Sequence, residues 1–356
     1  MNPIKSLMDP GREYNMSKHV IGLVLIDAPH SALNNAGAGA SLSGENMVVV
    51  KTIRRGSQTY PYVSGQAWRN WWRITLENEF NWNVSPITRS GKGHTQVVYT
   101  DASPAVYDDD DVFGYMRAPR GKAEETVTRI SPLKNSPLIS IETHRPTDDY
   151  GVMARQEDFP AIHEHQFYSC VLKGIFSLDL SAVGAFSDIN RTGYKNITPN
   201  YVETIQDAGG TQVDEDPVWV LPKETRVRRC QQTLEALPIL SGGAKLTSHL
   251  TDVTPKLIIL SVLDGGNHPF MNLMVEEDGV GKLSLPALRE VIEDYADRFC
   301  DAIYIGRRSG FMDELDEELN DLASGDNLPC EIVYDSPNKI IAQLTQKLEE
   351  HIGDSP

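Results

Sequence analysis

The sequence predicts an α+β protein whose core has the strand and helix order of a ferredoxin-like or RNA-recognition-motif domain, enlarged by insertions. Residues 19–27 form a β-branched, apolar run that is typical of a buried strand. Ser64 precedes a strongly amphipathic helix. A second helix near residues 224–237 is followed by the very apolar strand 256–263. The core order is therefore strand, helix, strands, helix, strand.

Composition limits the classes of function. The 356 residues contain 33 Lys and Arg against 50 Asp and Glu, a formal net charge of −17. Four widely separated cysteines argue against a zinc finger or a disulfide scaffold, and a reducing cytoplasm is the expected location. No apolar stretch is long enough to cross a bilayer, so no membrane or secretion signal is predicted. The acidic excess argues against nucleic-acid binding unless the charges are segregated.

The first half of the chain carries the clearest elements. Residues 28–44 form a loop rich in Ala, Gly, Ser and Asn, and a second strand is predicted at 47–54. In the helix after Ser64, the residues Trp68, Trp71 and Trp72 recur at helical spacing. Such a stripe is more often packing than a base-stacking surface. Tyr60 and Tyr62, which are predicted to lie in the loop before the helix, are the better stacking candidates.

The second half is divided by changes in composition. Residues 81–165, which include the acidic run 108–111, show no long periodic segment and are interpreted as an insertion. Residues 167–180 alternate like sheet strands, and residues 193–222 suggest an arm or extended hairpin. The remainder alternates helix and strand as a C-terminal α/β extension, in which the acid-rich segment 313–326 is expected to form a solvated helix face.

A basic stretch in this acidic chain is the strongest functional signal. Residues 46–76 contain no Asp or Glu but hold Lys51, Arg54, Arg55, Arg69 and Arg73. The helix start at Ser64 leaves backbone amides for an anion, because Ala67 cannot complete a capping box. Together these groups predict a phosphate-binding site. The alternative is a set of solvated surface charges in which Arg73 pairs with Glu77.

Three weaker signals point to other candidate binding, metal or catalytic residues. The loop containing Gly242, Gly243 and Lys245 could cradle a phosphate, or be only a tight turn. His163, Glu164 and His165 resemble a fragment of a metal site, but no matching ligands lie at diagnostic spacing, and no metal or cofactor is expected. Asp27, at the end of a strand, could be a general base or metal ligand, although a turn-forming role is favoured.

The segments LIDAPHSALNNAG, VVVKTIRRGSQTYPYVSGQAWRNWWR and LSGGAKLTSHLTDVTPKLIIL, in this order, resemble the DevR group of the Cas-seven family, and most closely the type I-B kind. These RAMP-superfamily proteins form the repeated backbone of type I CRISPR surveillance (Cascade) complexes. The resemblance spans residues 20–263 discontinuously. It implies a non-catalytic subunit whose copies polymerise along the guide RNA (crRNA) beside other Cascade subunits, gripping the RNA backbone while the guide pairs with target DNA.

The resemblance also implies a division of the chain and a set of contact residues. The division is an N-terminal tail (1–18), a palm (19–80, 166–192 and 223–265), a finger or helical insertion (81–165), a thumb (193–222) and the C-terminal extension (266–356). The residues expected to contact guide phosphates or sugars are Asn34, Asn35, Lys51, Arg54, Arg55, Ser64, Gln66, Arg69, Gly242, Gly243 and Lys245. The acidic tip of the thumb, residues 213–216, is unusual for an element that faces RNA.

Two other functions stay open. Backbone subunits of type III complexes in the same superfamily cut target RNA with a loop aspartate, and Asp27 is the only acid near the corresponding loop. Alternatively, the basic stretch could bind the acidic segment 313–326 of another copy, which would make this chain mainly an assembly protein.

Overall fold

A computed structural model describes residues 17–36, 47–90, 97–118, 125–153, 161–191, 193–213, 217–325 and 328–353. Within these residues the core is a large mixed sheet with helices on both faces. Its strands, numbered in chain order, run across the sheet as β20 (Ile332–Asp335), β19 (Ile303–Arg307), β16 (Leu257–Asp264), β1 (Lys18–Ser31), β12 (Ala161–Asp179), β10 (Leu138–Ser140), β4 (Gln58–Val63) and β3 (Thr52–Arg55). Strands β2 (Met47–Val48), β9 (Leu133–Asn135) and β11 (Thr147–Met153) also pair with β12.

Strand β1 lies at the centre of the sheet, antiparallel to both β12 and β16. Leu23 is opposite Ile175 on one side and Ile259 on the other. Residues 20–26 are all buried, because both faces of the sheet are covered at this point. The strand predicted at 19–27 is confirmed, and it is longer than predicted.

One face of the sheet packs against α1 (Gly65–Phe80), α4 (Lys223–Glu235) and α8 (Pro337–Lys347). Trp68 and Trp72 are fully buried there, and the Trp72 ring meets Phe176 edge-on with a centroid distance of 5.2 Å. Their indole N–H groups donate to the carbonyls of Ser136 and Thr233, both at 2.7 Å. The packing interpretation of the tryptophan stripe is confirmed.

The other face is covered by the C-terminal extension. Its elements are β17 (Met274–Glu277), β18 (Val280–Leu283), α6 (Leu285–Asp294) and α7 (Asp316–Ser324). Leu288 and Ile292 from α6 belong to the same buried cluster as Leu23 and Leu25 of the sheet. In an RNA-recognition motif, the exposed sheet carries the aromatic residues that stack bases. Here the C-terminal extension covers the central part of that face, so the described residues expose no such stacking surface there.

The remaining described elements form small units beside the sheet. Two hairpins, β5 (Ile87–Ser90) with β6 (Val97–Thr100) and β7 (Tyr115–Arg117) with β8 (Val127–Arg129), flank the one-and-a-half-turn helix α2 (Asp108–Phe113). A three-stranded sheet of β13 (Ala185–Ser187), β15 (Val218–Val220) and β14 (Thr211–Gln212) packs with α3 (Val202–Asp207). The helix α5 (Leu246–His249) precedes β16. The arm at 193–222 is thus not an extended hairpin, because it folds around its own apolar cluster.

Several expectations need correction. The strand predicted at 47–54 is broken, because Val49 and Lys51 pair instead with the loop after β1. Tyr60 and Tyr62 lie in β4 and not in a loop, and Tyr60 is buried. The segment 81–165 is not wholly an insertion, since β9 and β10 extend the main sheet.

Some predicted features lie outside the described residues. They are the tail up to residue 16, the glycine-rich part of the loop at 37–44, and the acidic thumb tip at 214–216. Among the helices that are described, none combines the length and the apolar character that crossing a bilayer requires.

Candidate nucleic-acid interface

Asn34 joins three predicted site elements at one junction. Its backbone carbonyl accepts from the Lys51 amide at 3.0 Å, and its side-chain Oδ1 accepts from the Ser64 amide at 2.9 Å. The adjacent Asn35 forms an antiparallel bridge with Val50. The loop after β1, the strand cation Lys51 and the start of α1 are therefore in direct contact.

The start of α1 retains two amides that could bind an anion. Ser64 is the N-cap, and its hydroxyl accepts from the Ala67 amide at 3.3 Å. Among the described residues, no acceptor contacts the amides of Gly65 and Gln66. Unpaired amides and the helix dipole make this end of α1 favourable for an anion.

Three cations, Lys51, Arg54 and Arg55, lie along the adjacent edge of the sheet, which we call the basic edge. Arg54 and Arg55 are exposed and Lys51 is half-buried. Alternation along the strand directs Lys51 and Arg55 to one side and Arg54 to the other. The Arg55 guanidinium lies 5.2 Å from the centroid of the Tyr60 ring. Within the described part of the chain, none of the three forms an ion pair.

Arg69 is placed differently from these cations, although it was predicted to share their role. Its guanidinium donates to the carbonyls of Leu133 at 2.6 Å and Phe113 at 2.9 Å, and to side-chain oxygens of Asn135 and Ser131. Burial, and secondarily the charge of Arg73, lowers the pKa of Arg69 to about 10. The donors of Arg69 thus hold α1 against the end of α2 and the β9 segment, which both follow α1 in the chain.

Arg73 also contacts the protein interior. Its guanidinium lies 3.5 Å from the Asp109 carboxylate and 4.6 Å from the centroid of the Phe113 ring. Among the described residues Arg73 thus pairs with Asp109, and not with Glu77 as the alternative interpretation proposed. Two of the five cations in the basic stretch therefore serve the fold.

The glycine loop reaches the same junction from the other side. The Ala244 amide donates to the Leu33 carbonyl at 3.0 Å, which sets the loop beside the end of β1. A Cβ on Gly242 would come within 2.2 Å of the Trp71 indole, and Gly243 has a φ of +107°. Both glycines are thus required by packing and backbone conformation. Lys245 follows them, half-buried and with a left-handed backbone.

His165 lies in β12 and Asp27 lies in β1. His165 contacts Asp149 at 3.2 Å, whereas nothing is described for the His163 side chain. Among the described residues, no group of three or more His, Cys, Asp or Glu side chains is arranged to hold a metal ion. Asp27 is half-buried in β1, where burial raises its pKa against the opposing charge of Lys256.

The sequence analysis missed Lys173, which lies in β12 beside the basic edge. Lys173 and Arg55 line the same pocket. Burial, and secondarily the charge of Arg55, lowers the pKa of Lys173. A lysine within the alternating run of β12, on the same side as Val171 and Ile175, was the signal available in the sequence.

A family model described as "CRISPR-associated negative auto-regulator DevR/Csa2" matches residues 26–282, which is more than half of the chain. The chain belongs to the DevR/Csa2 family. The resemblance predicted from the three sequence segments is confirmed. No match was found among curated proteins.

Two solved structures are similar to this DevR/Csa2-family chain in fold. One is a chain of a "CRISPR RNA-guided surveillance complex", with a TM-score of 0.51 and 14% identity. The other is titled "CRISPR RNA-guided surveillance complex, pre-nicking", with a TM-score of 0.54 and 13% identity. The match to the first covers 93% of this chain and 99% of that structure's chain. The match to the second covers 92% of this chain and 99% of that structure's chain. The shared fold therefore extends beyond the residues of the family match.

Proposed function

We propose that this DevR/Csa2-family chain is a non-catalytic subunit of a Cascade-type complex that binds the sugar–phosphate backbone of a guide RNA. The observation that carries the proposal is the basic edge, whose three cations have no ion-pair partner within the described residues. The first of them, Lys51, is hydrogen-bonded to Asn34, whose side chain also accepts from the Ser64 amide at the helix start. Phosphates are the ligand class that such an arrangement favours.

Binding without sequence preference is supported by the position of the aromatic residues. Tyr60 and the three tryptophans of α1 are buried, and the sheet face is covered by the extension. No base-stacking platform is therefore available from these residues. A subunit that holds any guide has to contact backbone and not base edges, so that the guide can then pair with target DNA.

The strand order supports a ferredoxin-like palm. The strands β16, β1 and β12 are adjacent and antiparallel, and α1 and α4 pack on the same face. We interpret the hairpins before β9 as the finger and residues 193–222 as the thumb, by their position between palm elements. Polymerisation along the guide, contacts to other Cascade subunits, the type I-B class and a cytoplasmic location are parts of the same proposal.

Native mass spectrometry of the purified chain with RNAs of increasing length and unrelated sequence tests the proposal. We expect the number of bound copies to rise in even steps with RNA length and to ignore sequence. The double variant Arg54→Glu and Arg55→Glu should bind no RNA. Its matched control reverses Arg289 and Arg308, which are both exposed on the extension, and should bind as the wild type does.

Two other outcomes would favour the alternative functions. Self-association without RNA that is lost in the Arg54→Glu and Arg55→Glu variant would favour an assembly protein. Shortened RNA products would favour a nuclease, and their loss in Asp27→Ala would assign the cleavage to Asp27. Loading that depends on RNA sequence would overturn backbone binding.

A further inference from the structure

A pocket of about 290 Å³ lies where the C-terminal extension meets the basic edge. Its walls come from the main sheet and from the β17–β18 hairpin. Its lining residues include Arg55, Tyr60, Ile139, Lys173, Met274 and Glu276. The volume is at the lower end of that of ligand-binding pockets, so it suits one small polar group.

Two cations face this pocket without a carboxylate partner. Neither Arg55 nor Lys173 forms an ion pair among the described residues. The Lys173 ammonium donates one hydrogen bond, to the Met271 carbonyl at 2.8 Å, and has two further N–H donors. Two like charges that line one pocket repel each other, and an anion bound between them removes this repulsion.

The opposite wall carries an acceptor. Glu276 is exposed on β17, and its two oxygens lie 3.3 Å from the amide and the hydroxyl of Thr143. This contact joins the Glu276 carboxylate to the segment that follows β10. The pocket thus offers cations on one wall and a carboxylate acceptor on the other, which fits a ligand that combines an anion with a hydroxyl donor.

We propose that this pocket binds one sugar–phosphate unit of RNA, with Arg55 and Lys173 on the phosphate and Glu276 accepting a hydrogen bond from the 2′-hydroxyl. The proposal rests on the proposed function and adds a preference for RNA over DNA. The 2′-hydroxyl is the group by which a protein distinguishes the two nucleic acids at one site.

The pocket continues the path of the basic edge. Lys51 and Arg55 are four residues apart on the same side of the strand, a separation of about 13 Å. A backbone that leaves the junction at Asn34 and follows this edge passes Lys51, then Arg55, and enters the pocket at Lys173. Two phosphates of one strand can span such a distance.

The test compares the binding of three oligonucleotides of one sequence (RNA, DNA and 2′-O-methyl RNA) to the full chain by fluorescence anisotropy. The wild type should bind RNA about tenfold more tightly than the other two, the effect of one charge-assisted hydrogen bond. Glu276→Ala should remove most of this preference. The matched control Glu277→Ala changes the next residue, whose carboxylate pairs with Lys282, and should retain the preference.

Lys173→Met tests the phosphate contact while keeping the aliphatic stem of the side chain. We expect it to weaken the binding of RNA and DNA alike by about fivefold to tenfold. Lys339→Met, on the exposed face of α8, is the control. Thermal unfolding of each variant shows whether a loss of binding reflects a loss of folded protein.

The outcomes separate this pocket from the proposed function. RNA loading by the wild type together with an unchanged RNA-to-DNA ratio in Glu276→Ala would overturn the 2′-hydroxyl contact. Unchanged affinity in Lys173→Met would overturn the phosphate contact, and equal wild-type affinity for RNA and DNA would overturn the preference. A wild type that binds no RNA of any length would overturn both the proposed function and the pocket.

Discussion

Two dense groups of charge in this chain differ in their surroundings. In helix α2, Asp108, Asp109, Asp110 and Asp111 are all buried, although an acidic run is usually solvated. At the basic edge, Lys51, Arg54 and Arg55 remain without ion-pair partners among the described residues. The first group serves the fold and the second is available to a ligand. The two groups differ because aspartates of α2 have oppositely charged partners, whereas within the described residues the cations of the basic edge have none. A run of like charges in a sequence does not show whether such partners exist.

The buried charge cluster consists of Asp108, Asp111, Arg129 and Arg229, and the partly exposed Arg228 joins it from the surface. Asp111 is fully buried, and it accepts hydrogen bonds from Arg129, from Arg229 at 2.6 Å, and from the Gly184 amide at 2.9 Å. Asp108 accepts from Arg228 and Arg229, both at 2.7 Å. The cluster ties α2 to α4 and to the segment that leads into β13.

The acidic excess of the chain lies mostly elsewhere. Residues 266–356 contain 20 Asp and Glu against 7 Lys and Arg, whereas the first 265 residues contain 30 against 26. On α7 the carboxylates of Glu317, Glu318 and Asp321 are exposed, as predicted for this segment. A strongly negative chain can therefore carry a locally basic edge, because the negative charge is concentrated in the extension.

Removing a buried carboxylate should have the largest effect on the free energy of unfolding. Asp111→Ala leaves Arg129 and Arg229 buried with fewer acceptors, so the free energy of unfolding should fall by about 3–5 kcal/mol. Urea denaturation followed by circular dichroism measures this. Asp321→Ala, on the exposed face of α7, should change stability by less than about 0.5 kcal/mol. Equal effects of the two variants would show that the buried cluster does not support the fold.

Within the basic stretch itself, Arg69 and Arg54 should differ in whether their loss affects stability or RNA binding. Arg69→Ala removes a half-buried guanidinium from four acceptors, so we expect a loss of about 2–4 kcal/mol of stability. Arg54→Ala should alter stability by less than about 0.5 kcal/mol and weaken RNA binding. Both are measured by denaturation and by RNA titration. If the Arg69→Ala variant has normal stability but binds RNA more weakly, Arg69 contacts RNA and does not serve the fold.

The acidic run should also give stability a dependence on pH. Burial raises the pKa of Asp109 to about 6, while the Ser85 amide at 2.8 Å and Arg73 oppose the shift. Because the folded state holds this proton more tightly, Asp109 lowers stability as pH rises from about 4 to about 6. Its contribution across this window should be about 1–3 kcal/mol.

Denaturation of the wild type and Asp109→Asn between pH 4 and pH 7.5 isolates this contribution. The wild type should lose stability relative to Asp109→Asn as pH rises, since the amide cannot ionise. Parallel curves for the two proteins would mean that Asp109 does not titrate in this range.

Replacing one cation of the basic edge at a time should have the smallest effect of these variants. It should change the affinity for RNA and not the stability of the fold. Lys51→Ala, Arg54→Ala and Arg55→Ala should each cost about 1 kcal/mol of binding free energy and leave stability nearly unchanged. Each should reduce the slope of log affinity against log salt by about 0.7, the value for one phosphate contact on a single strand. An unchanged slope for any of them would remove that residue from the phosphate contacts.

Elements whose signals are local could be predicted from the amino-acid sequence. Helix α1 begins after Ser64 and ends at Phe80 as its N-cap and its tryptophan spacing predicted, since capping and periodicity act within a few turns. The three matching segments indicated the DevR/Csa2 family, and the basic stretch is visible without a structure. The proximity of Asn34, Lys51 and Ser64 also agrees with their prediction as one site.

Which charges are neutralised and which surfaces are covered depends on contacts between distant segments. Arg229 lies 121 residues from Asp108 and 118 residues from Asp111. No local pattern encodes such pairs, so the burial of α2 and the inward direction of Arg69 could not be predicted. The same holds for the extension that covers the sheet and forms the pocket at Lys173. Periodicity specifies a helix locally, but the partner of a charge is fixed only when distant segments pack together.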